Sequence, residues 1–325
     1  MTRERESFTS ELAGAASLDQ LYALMAEADM TPGWIERRSP ILWPEPRTAF
    51  VPAHWRYRES RAGLLAAGQL IDTKLAERRN LLLRNPIAGN ETATLRTLIC
   101  AYQSILPGEK ARSHRHSPHA LRVILDADGA WSIVNGEKHP MQSGDIVLTP
   151  GGSWHGHGHD GDQQAFWFDG LDVPLVGLLE PMFYEDHPDT YEAARRVTPD
   201  SPFRFTWEST VRGLDRAPPD PERVNGRAIV LAAPQMPTLS LSVHRLAADE
   251  QTRASREAAN NVFVVMQGRG RSHVGAATFN WERGDTFCAP MWHRLEHCAE
   301  TEAVLFRMSD APLMRYCGYH RRELL

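Results

Sequence analysis

The chain has 325 residues, of which 42% are hydrophobic, which is enough for two domains of ordinary size with sizeable cores. Its formal net charge of −5, without a basic stripe, argues against a nucleic-acid partner. No apolar run is long enough to span a membrane, and the first residues are too charged for a secretory signal, so a cytoplasmic protein with no membrane partner is expected.

Helices are predicted mainly before the first strands. Apolar residues recur at helical spacing from about Ser10 to Asp29, and again near Glu59 to Arg79. The Pro- and Trp-rich segment from Trp34 to Arg56 is predicted to be an ordered connection. Residues 1–90 are therefore predicted to form an N-terminal helical arm.

Short alternating strands separated by glycine turns follow the arm. They predict a first β-barrel over residues 91–175, with a metal site. Residues 176–226 are rich in proline and are predicted to form a helix and an irregular linker.

An internal repeat predicts a second barrel over residues 227–325, including a C-terminal tail. The run Asn261–Gly268 resembles the run Arg122–Gly129, and Gly284-Asp285-x4-Pro290 repeats the pattern of Gly144-Asp145-x4-Pro150. The expected fold is all-β with N-terminal helices, and its two barrels are of the double-stranded β-helix or jelly-roll type.

Three histidines predict a metal site in the first barrel. His114 and His116 are one residue apart on a predicted strand, so their side chains point the same way, and His155 arrives from a later strand. Three nitrogens on one face can bind a metal and leave coordination positions open. Solvated histidine clusters also exist, but strand-like sequence on both sides favours the metal site.

The spacing around these histidines resembles the two signature motifs of the cupin superfamily, small antiparallel barrels that hold a metal on inward-facing side chains. Five residues separate Gly108 from His114, and five separate Gly144 from Pro150. Cupins usually add a glutamate ligand, but the corresponding position falls at or next to Arg122. The predicted site therefore has three neutral histidine ligands and no carboxylate.

The second barrel is expected to be free of metal and to serve packing and assembly. Counting back from Gly270, Ser255 and Glu257 stand at the positions of the paired histidines. His293 lies near the later histidine position, but a single histidine is usually a core or rim residue.

Five longer runs of sequence carry the most specific signal. They are Pro52–Tyr57, Ala76–Asn80, Leu106–Arg122, Trp154–Gly158 and Phe168–Leu175. Together they resemble the bicupin ring-cleaving dioxygenases of the gentisate and salicylate 1,2-dioxygenase family, and the resemblance extends over the whole chain.

The resemblance implies that His114, His116 and His155 bind Fe(II). Further residues that it places around an aromatic substrate are Gln103, Arg122, His157, Asp169 and, near the carboxylate, Arg78. Arg122 is expected to hold the carboxylate by charge-assisted hydrogen bonds. His157, expected to titrate near neutral pH, and Asp169 are suited to managing the phenolic proton or orienting the ring. Arg78 and Arg79 are both predicted at a helix end, where either could be solvated.

The implied reaction cleaves a 2-hydroxybenzoate between its carboxyl- and hydroxyl-bearing carbons and inserts both atoms of O2, as in the catabolism of aromatic compounds. Family members commonly have Trp where this chain has Ile99 and Gly where it has Ala101, both expected on the pocket side. Gentisate is the default substrate. The alternatives are 5-nitrosalicylate or another 5-substituted salicylate, salicylate itself and 1-hydroxy-2-naphthoate. A homotetramer is also implied.

Other classes of cupin remain as alternatives. An isomerase or a quercetinase-like enzyme would be expected to keep a carboxylate ligand, which the position of Arg122 disfavours. A ligand-binding or storage bicupin without enzymatic activity would not require a metal face backed by Arg122, His157 and Asp169.

Overall fold

The computed structural model describes residues 2–37, 40–72, 75–76, 78–197 and 201–325. The chain divides into a small unit, Met1–Glu45, and a large unit, Pro46–Leu325. In these described ranges, no helix is both long enough and apolar enough to cross a membrane.

The helices are short and lie mostly before and between the barrels. In chain order they are α1 Thr2–Ala13, α2 Leu18–Glu27, α3 Tyr57–Leu70, α4 Val173–Leu179, α5 Trp207–Arg216 and α6 Ala311–Tyr316. The single helix predicted from Ser10 to Asp29 is wrong, because Ser17 starts a new helix by accepting a hydrogen bond from the Gln20 amide.

The strands of the large unit begin before the first barrel and continue to the chain end. The first thirteen are β1 Ala53–Trp55, β2 Arg79–Leu82, β3 Ile99–Ile105, β4 Lys110–His116, β5 Ala120–Asp126, β6 Ala130–Val134, β7 Glu137–Met141, β8 Ile146–Thr149, β9 His155–His159, β10 Ala165–Leu171, β11 Tyr184–Asp186, β12 Arg196–Val197 and β13 Arg204–Phe205. The others are β14 Arg227–Leu231, β15 Ser240–Leu246, β16 Ser255–Glu257, β17 Asn261–Gln267, β18 Arg269–Val274, β19 Ala277–Glu282, β20 Thr286–Ala289, β21 Leu295–Ala299, β22 Ala303–Ser309 and β23 Arg322–Leu324.

These strands form two barrels of two sheets each, which confirms the predicted bicupin fold. The first barrel combines the sheets β13-β8-β5-β10-β3-β2 and β11-β4-β9-β6-β7-β12. The second combines β1-β20-β17-β22-β15-β14 and β19-β18-β21-β16-β23. The helix predicted to reach Arg79 is too long, because α3 ends at Leu70 and Arg79 begins β2. The linker also contributes three short strands, β11, β12 and β13, to the first barrel.

An apolar seam joins the two barrels. Side chains alternate between the two faces of β3, β5 and β10, and one face contributes Tyr102, Val123 and Phe168 to the large core. Phe306 and Met308 on β22 belong to the same core. The sheets that contain these strands therefore bury their apolar faces against each other.

The opposite face of the same strands lines the interior of the first barrel. Ile105, Ile124 and Trp167 belong to a separate apolar cluster there, together with Val147 on β8. The neighbouring inward-facing positions on β3, β5 and β10 carry polar side chains. The interior of the first barrel is therefore apolar in one part and polar in the other.

The two repeats exchange the segments that precede their barrels. β1 and α3 come before the first barrel, yet β1 pairs with β20 of the second. β13 and α5 come before the second barrel, yet β13 pairs with β8 of the first. A buried aspartate anchors each exchange: Asp285 accepts a hydrogen bond from the Tyr57 amide at 2.8 Å, and Asp145 accepts one from the Trp207 amide at 2.9 Å.

The strand pairing corrects the alignment of the internal repeat by two residues. Arg122 pairs with Asp169 across β5 and β10, and in the second barrel Phe263 pairs with Arg307. Phe263, rather than Asn261, therefore stands at the position of Arg122. The glycines used for the sequence alignment misplaced it because the turn between β17 and β18 is shorter than the turn between β5 and β6.

The same pairing locates the second-barrel counterparts of the histidines. His114 pairs with His155, and Ser255 pairs with Leu295 in the equivalent ladder. Ser255 was placed correctly from the sequence. His293, predicted to lie near the later histidine position, is two residues before Leu295, which matches His155.

Mutation of Tyr102 can test how much the contacts across the seam stabilise the protein. Its hydroxyl donates to the Gly284 carbonyl at 2.7 Å and lies 2.9 Å from Thr286 Oγ1. Tyr102→Phe should lower the free energy of unfolding by about 1–3 kcal/mol, because a buried acceptor loses its donor. Denaturant titration measures this, with Tyr316→Phe as the control since Tyr316 is 92% exposed. Equal stability of the two variants would contradict the bridging role.

Candidate active site

The structure brings together the three histidines predicted as metal ligands. His114 and His116 lie on β4, and His155 lies opposite His114 on the neighbouring strand β9. One ring nitrogen from each lies within 4.8 Å of the other two, and the rings of His114 and His155 are 4.3 Å apart. This spacing allows one ion to contact all three rings.

Backbone carbonyls fix the orientation and tautomer of these rings. Nδ1 of His114, His116 and His155 lies 3.2, 2.9 and 3.0 Å from the carbonyl oxygens of Arg112, Pro118 and Ser153, respectively. A carbonyl oxygen can only accept, so each Nδ1 carries the proton and each Nε2 keeps its lone pair. The donor set therefore fits a metal ion bound by three imidazoles.

Burial keeps the three rings neutral. Burial, followed by the charge of Arg78, lowers the pKa of His114 to about 3. Burial also lowers the pKa of His116, and it holds the pKa of His155 well below its usual range. Neutral imidazole is the form that binds metals, so protons do not compete for the lone pairs at neutral pH.

Arg122 and Asp169 form a buried ion pair beside the histidines. Arg122 Nε lies 3.3 Å from Asp169 Oδ1, and Nη1 donates to Thr149 Oγ1 at 2.7 Å. Burial raises the pKa of Asp169, while the charges of Arg122 and Arg78 act in the opposite direction. Nη2 of Arg122 has no hydrogen-bond partner among the described residues, so it remains available to an anionic ligand.

His157 lies on β9 within the same interior and is almost completely buried. Burial, followed by the charge of Arg122, holds its pKa well below the usual range. The expectation that His157 titrates near neutral pH is therefore wrong for the protein without a ligand. As a neutral imidazole, it can accept a hydrogen bond from a bound group.

Several buried polar atoms of this interior lack a hydrogen-bond partner among the described residues. They are Gln103 Nε2, Arg122 Nε, His155 Nε2, both ring nitrogens of His157, Trp167 Nε1 and Asp169 Oδ1. Buried polar groups are nearly always bonded in folded proteins. Their concentration here fits a polar ligand bound beside a metal.

Ile99 and Ala101 lie on β3, on the same face as Gln103. Ala101 is directly opposite Asp169, and Ile99 is opposite Leu171. The expectation that both share the pocket side agrees with this alternation. Their roles in substrate choice remain a prediction.

The two neighbouring arginines have different environments. The guanidinium nitrogens of Arg78 lie 3.5 Å from His114 Nε2. Arg79 is buried and forms an ion pair with Glu109 at 2.7 Å. Neither lies at a helix end as predicted. Arg78 is the one that faces the histidines, and Arg79 has a structural role.

Two aromatic residues near the site were missed by the sequence analysis. Trp167 lies two residues before Asp169 on β10, and its ring is 5.8 Å from that of His157. The two-residue strand period alone would have placed it on the site's face. Tyr184 stacks on His114 at 5.2 Å, but it lies in the segment predicted to be irregular, where no pattern singled it out.

The fold and the three-histidine site define a metal-binding bicupin. The cupin domain family matches residues 101–173. The chain is 32% identical to gentisate 1,2 dioxygenase 1 of Aquipseudomonas alcaligenes, over 98% of this chain and 99% of that protein. It is also 32% identical to 5-aminosalicylate 1,2-dioxygenase of a Comamonas species, over 94% and 90% of the two chains.

A solved structure of salicylate 1,2-dioxygenase from Pseudoaminobacter salicylatoxidans, in adducts with gentisate, agrees with this chain at a TM-score of 0.85. The two are 29% identical, and the match covers 96% of this chain and 94% of that one. The chain belongs to the gentisate and salicylate 1,2-dioxygenase family and is a ring-cleaving dioxygenase. The predicted resemblance is confirmed, and the non-enzymatic alternative is wrong.

The geometry predicts that each of the three histidines is required for metal binding. Replacing His114, His116 or His155 by Ala should remove the bound metal, because two imidazoles leave the ion with too few protein ligands. Elemental analysis of the purified variants measures the loss, and circular dichroism should show an intact fold. His293→Ala is the matched control and should keep the metal content of the unmodified protein. Full metal content in any of the three would remove that residue from the ligand set.

Proposed function

We propose that the protein is an Fe(II)-dependent dioxygenase that cleaves a 2-hydroxybenzoate between its carboxyl- and hydroxyl-bearing carbons, with gentisate as the first candidate substrate. The observation that carries the proposal is the buried Arg122, with a free Nη2, beside three convergent histidine lone pairs. Relatives named for gentisate and 5-aminosalicylate support the substrate class.

The three histidines contribute no charge of their own, so the ligand set suits an anionic substrate. Fe(II) bound there would offer positions for the carboxylate and phenol oxygens of a 2-hydroxybenzoate and for O2, and would supply electrons for oxygen activation. Neighbouring oxygens on a single ring match such adjacent positions, which favours a 2-hydroxybenzoate over a simple benzoate.

The surrounding residues bind and orient the substrate. Arg122 donates from Nη2 to the carboxylate, and this charge-assisted contact is strong because Arg122 is buried. His157 accepts a hydrogen bond from the phenolic hydroxyl, since its buried ring is neutral and both its nitrogens lack protein partners. Gln103 donates from its unpartnered Nε2 to a ring substituent. Asp169 holds Arg122 in place through their ion pair.

Ile99 and Ala101 favour a second candidate, a salicylate with a different 5-substituent. Replacing the family's usual Trp by Ile99 opens volume, and Ala101 adds a methyl group next to Asp169. Nitro, halogen and amino groups are the substituents to test, together with salicylate and 1-hydroxy-2-naphthoate. An oxygen electrode with iron-loaded enzyme and this panel of acids ranks the candidates. Oxygen uptake with none of them would contradict the proposed substrate class.

We also propose a homo-oligomer, with a tetramer as the expected state. A run of large apolar side chains beside the site is exposed, as expected of a surface that another subunit covers. Its members are Leu178, Leu179, Met182, Phe183 and Tyr184. Light scattering after gel filtration measures the mass, and a monomer would contradict this assembly.

Arg122 is expected to be required for turnover but not for metal binding. Arg122→Ala should lower kcat/KM by about 3 kcal/mol of transition-state stabilisation, roughly a hundredfold, since the carboxylate loses a charged partner. Arg122→Lys keeps the charge but loses the fork of donors, so its activity should be intermediate. Iron content should be unchanged in both variants. If Arg122→Ala has the same kcat/KM as the unmodified protein, another residue must bind the carboxylate, and Arg78 is the next candidate.

The face of β3 is expected to set the substituent preference. Ile99→Trp should shift preference toward gentisate, and Ala101→Gly should broaden the range by removing a methyl group beside the ring. Such changes are worth roughly 1–3 kcal/mol, or about ten- to two-hundredfold in relative specificity. The measured quantity is the ratio of kcat/KM for gentisate and 5-nitrosalicylate. A constant ratio across both variants would show that β3 does not select the substrate.

A further inference from the structure

The second barrel encloses a cavity of about 170 Å³ at the position that corresponds to the candidate active site. Ser255, Glu257 and Leu295, which replace the three histidines, line it. The cavity is much larger than the roughly 10–15 Å³ that one water requires and smaller than the roughly 300 Å³ of pockets for drug-sized ligands. Its size suits a molecule of a few carbon atoms.

Glu257 supplies the carboxylate on the cavity wall, and its oxygens already have partners. Glu257 forms an ion pair with Arg307, accepts from Asn261 Nδ2 at 3.1 Å and lies 3.2 Å from His320 Nε2. Arg307, which stands where the first barrel has Asp169, also donates from Nε to Asn261 Oδ1 at 2.7 Å. Its Nη1 has no partner among the described residues and remains a donor for a ligand.

His297 presents a second donor to the cavity. The Trp281 indole donates to Ser272 Oγ at 2.8 Å, and that oxygen lies 2.7 Å from His297 Nδ1. Because Ser272 is fully buried, its own hydroxyl proton must go to Nδ1 to be bonded. Burial and Arg307 lower the pKa of His297 to about 3, so the ring is neutral and its single proton lies on Nε2.

Two further guanidinium groups line the same cavity. Arg322 is paired with Glu222 at 2.6 Å. The guanidinium group of Arg315, on α6, has no hydrogen bond or ion pair among the described residues. With Glu222 counted, three arginines face two carboxylates, which leaves one positive charge and several donors in excess.

We propose that this cavity binds a small organic carboxylate, independently of the metal site. Arg315, Arg307 and His297 donate to the carboxylate oxygens, as charge-assisted bonds to guanidinium groups favour. Phe263 and Leu295 provide apolar wall for the carbon skeleton. The second barrel is then a ligand-binding barrel in which two arginines and a histidine take the place of the metal.

Calorimetric titration of the full-length, iron-loaded protein with succinate tests the proposal. Succinate should bind, and succinamide, its neutral counterpart, should not. Arg315→Gln should weaken succinate binding at least about tenfold, whereas Arg271→Gln, which removes an exposed charge elsewhere on the same barrel, should bind like the unmodified protein. Arg122→Gln should also bind succinate normally, because its change lies in the first barrel.

Three outcomes would overturn the assignment. The first is that succinate does not bind the unmodified protein. The second is unchanged affinity in Arg315→Gln, or a loss confined to Arg122→Gln, since either result contradicts binding through the arginines of this cavity. The third is sulfate binding as tightly as succinate, which would show a site for anions in general rather than for carboxylates.

Discussion

The alternation of side chains along β3, β5 and β10 couples the seam between the barrels to the candidate active site. Tyr102 packs in the seam, and its neighbour Gln103 faces the interior. Slipping a strand by one residue would exchange its two faces, so apolar packing in the seam fixes the register of Arg122 and Asp169. Placing that ion pair away from water costs several kcal/mol, which the buried apolar area on the other face offsets.

Local patterns were enough to predict the core of the site. His114 and His116 share a strand face because of the two-residue period, and the motif spacing located His155 on a partner strand. The same period put Ile99, Ala101 and Gln103 on one face. These predictions succeeded because each depends on a single strand or on one turn, where sequence spacing translates directly into geometry.

The features that the sequence did not reveal depend on contacts between distant parts of the chain. Whether Arg78 or Arg79 faces the histidines is decided by Glu109, which binds Arg79 from the turn just before β4. Tyr184 reaches His114 only because part of the linker becomes β11. The end of α3 likewise depends on β2 joining the first barrel. No periodicity within those segments encodes such pairings.

The exchange of leading segments constrains how the chain folds and how it can be divided. Tyr57 and its anchor Asp285 are 228 positions apart, so β1 remains without its partner until most of the polypeptide has been synthesised. Forming so distant a contact is slow, and it makes completion of the C-terminal half depend on the earliest part of the large unit. A gene fragment that encodes one repeat would produce a sheet lacking its outermost strand, with an open edge able to pair with other chains. Natural or engineered recombination between the two halves is therefore expected to yield aggregates rather than working modules.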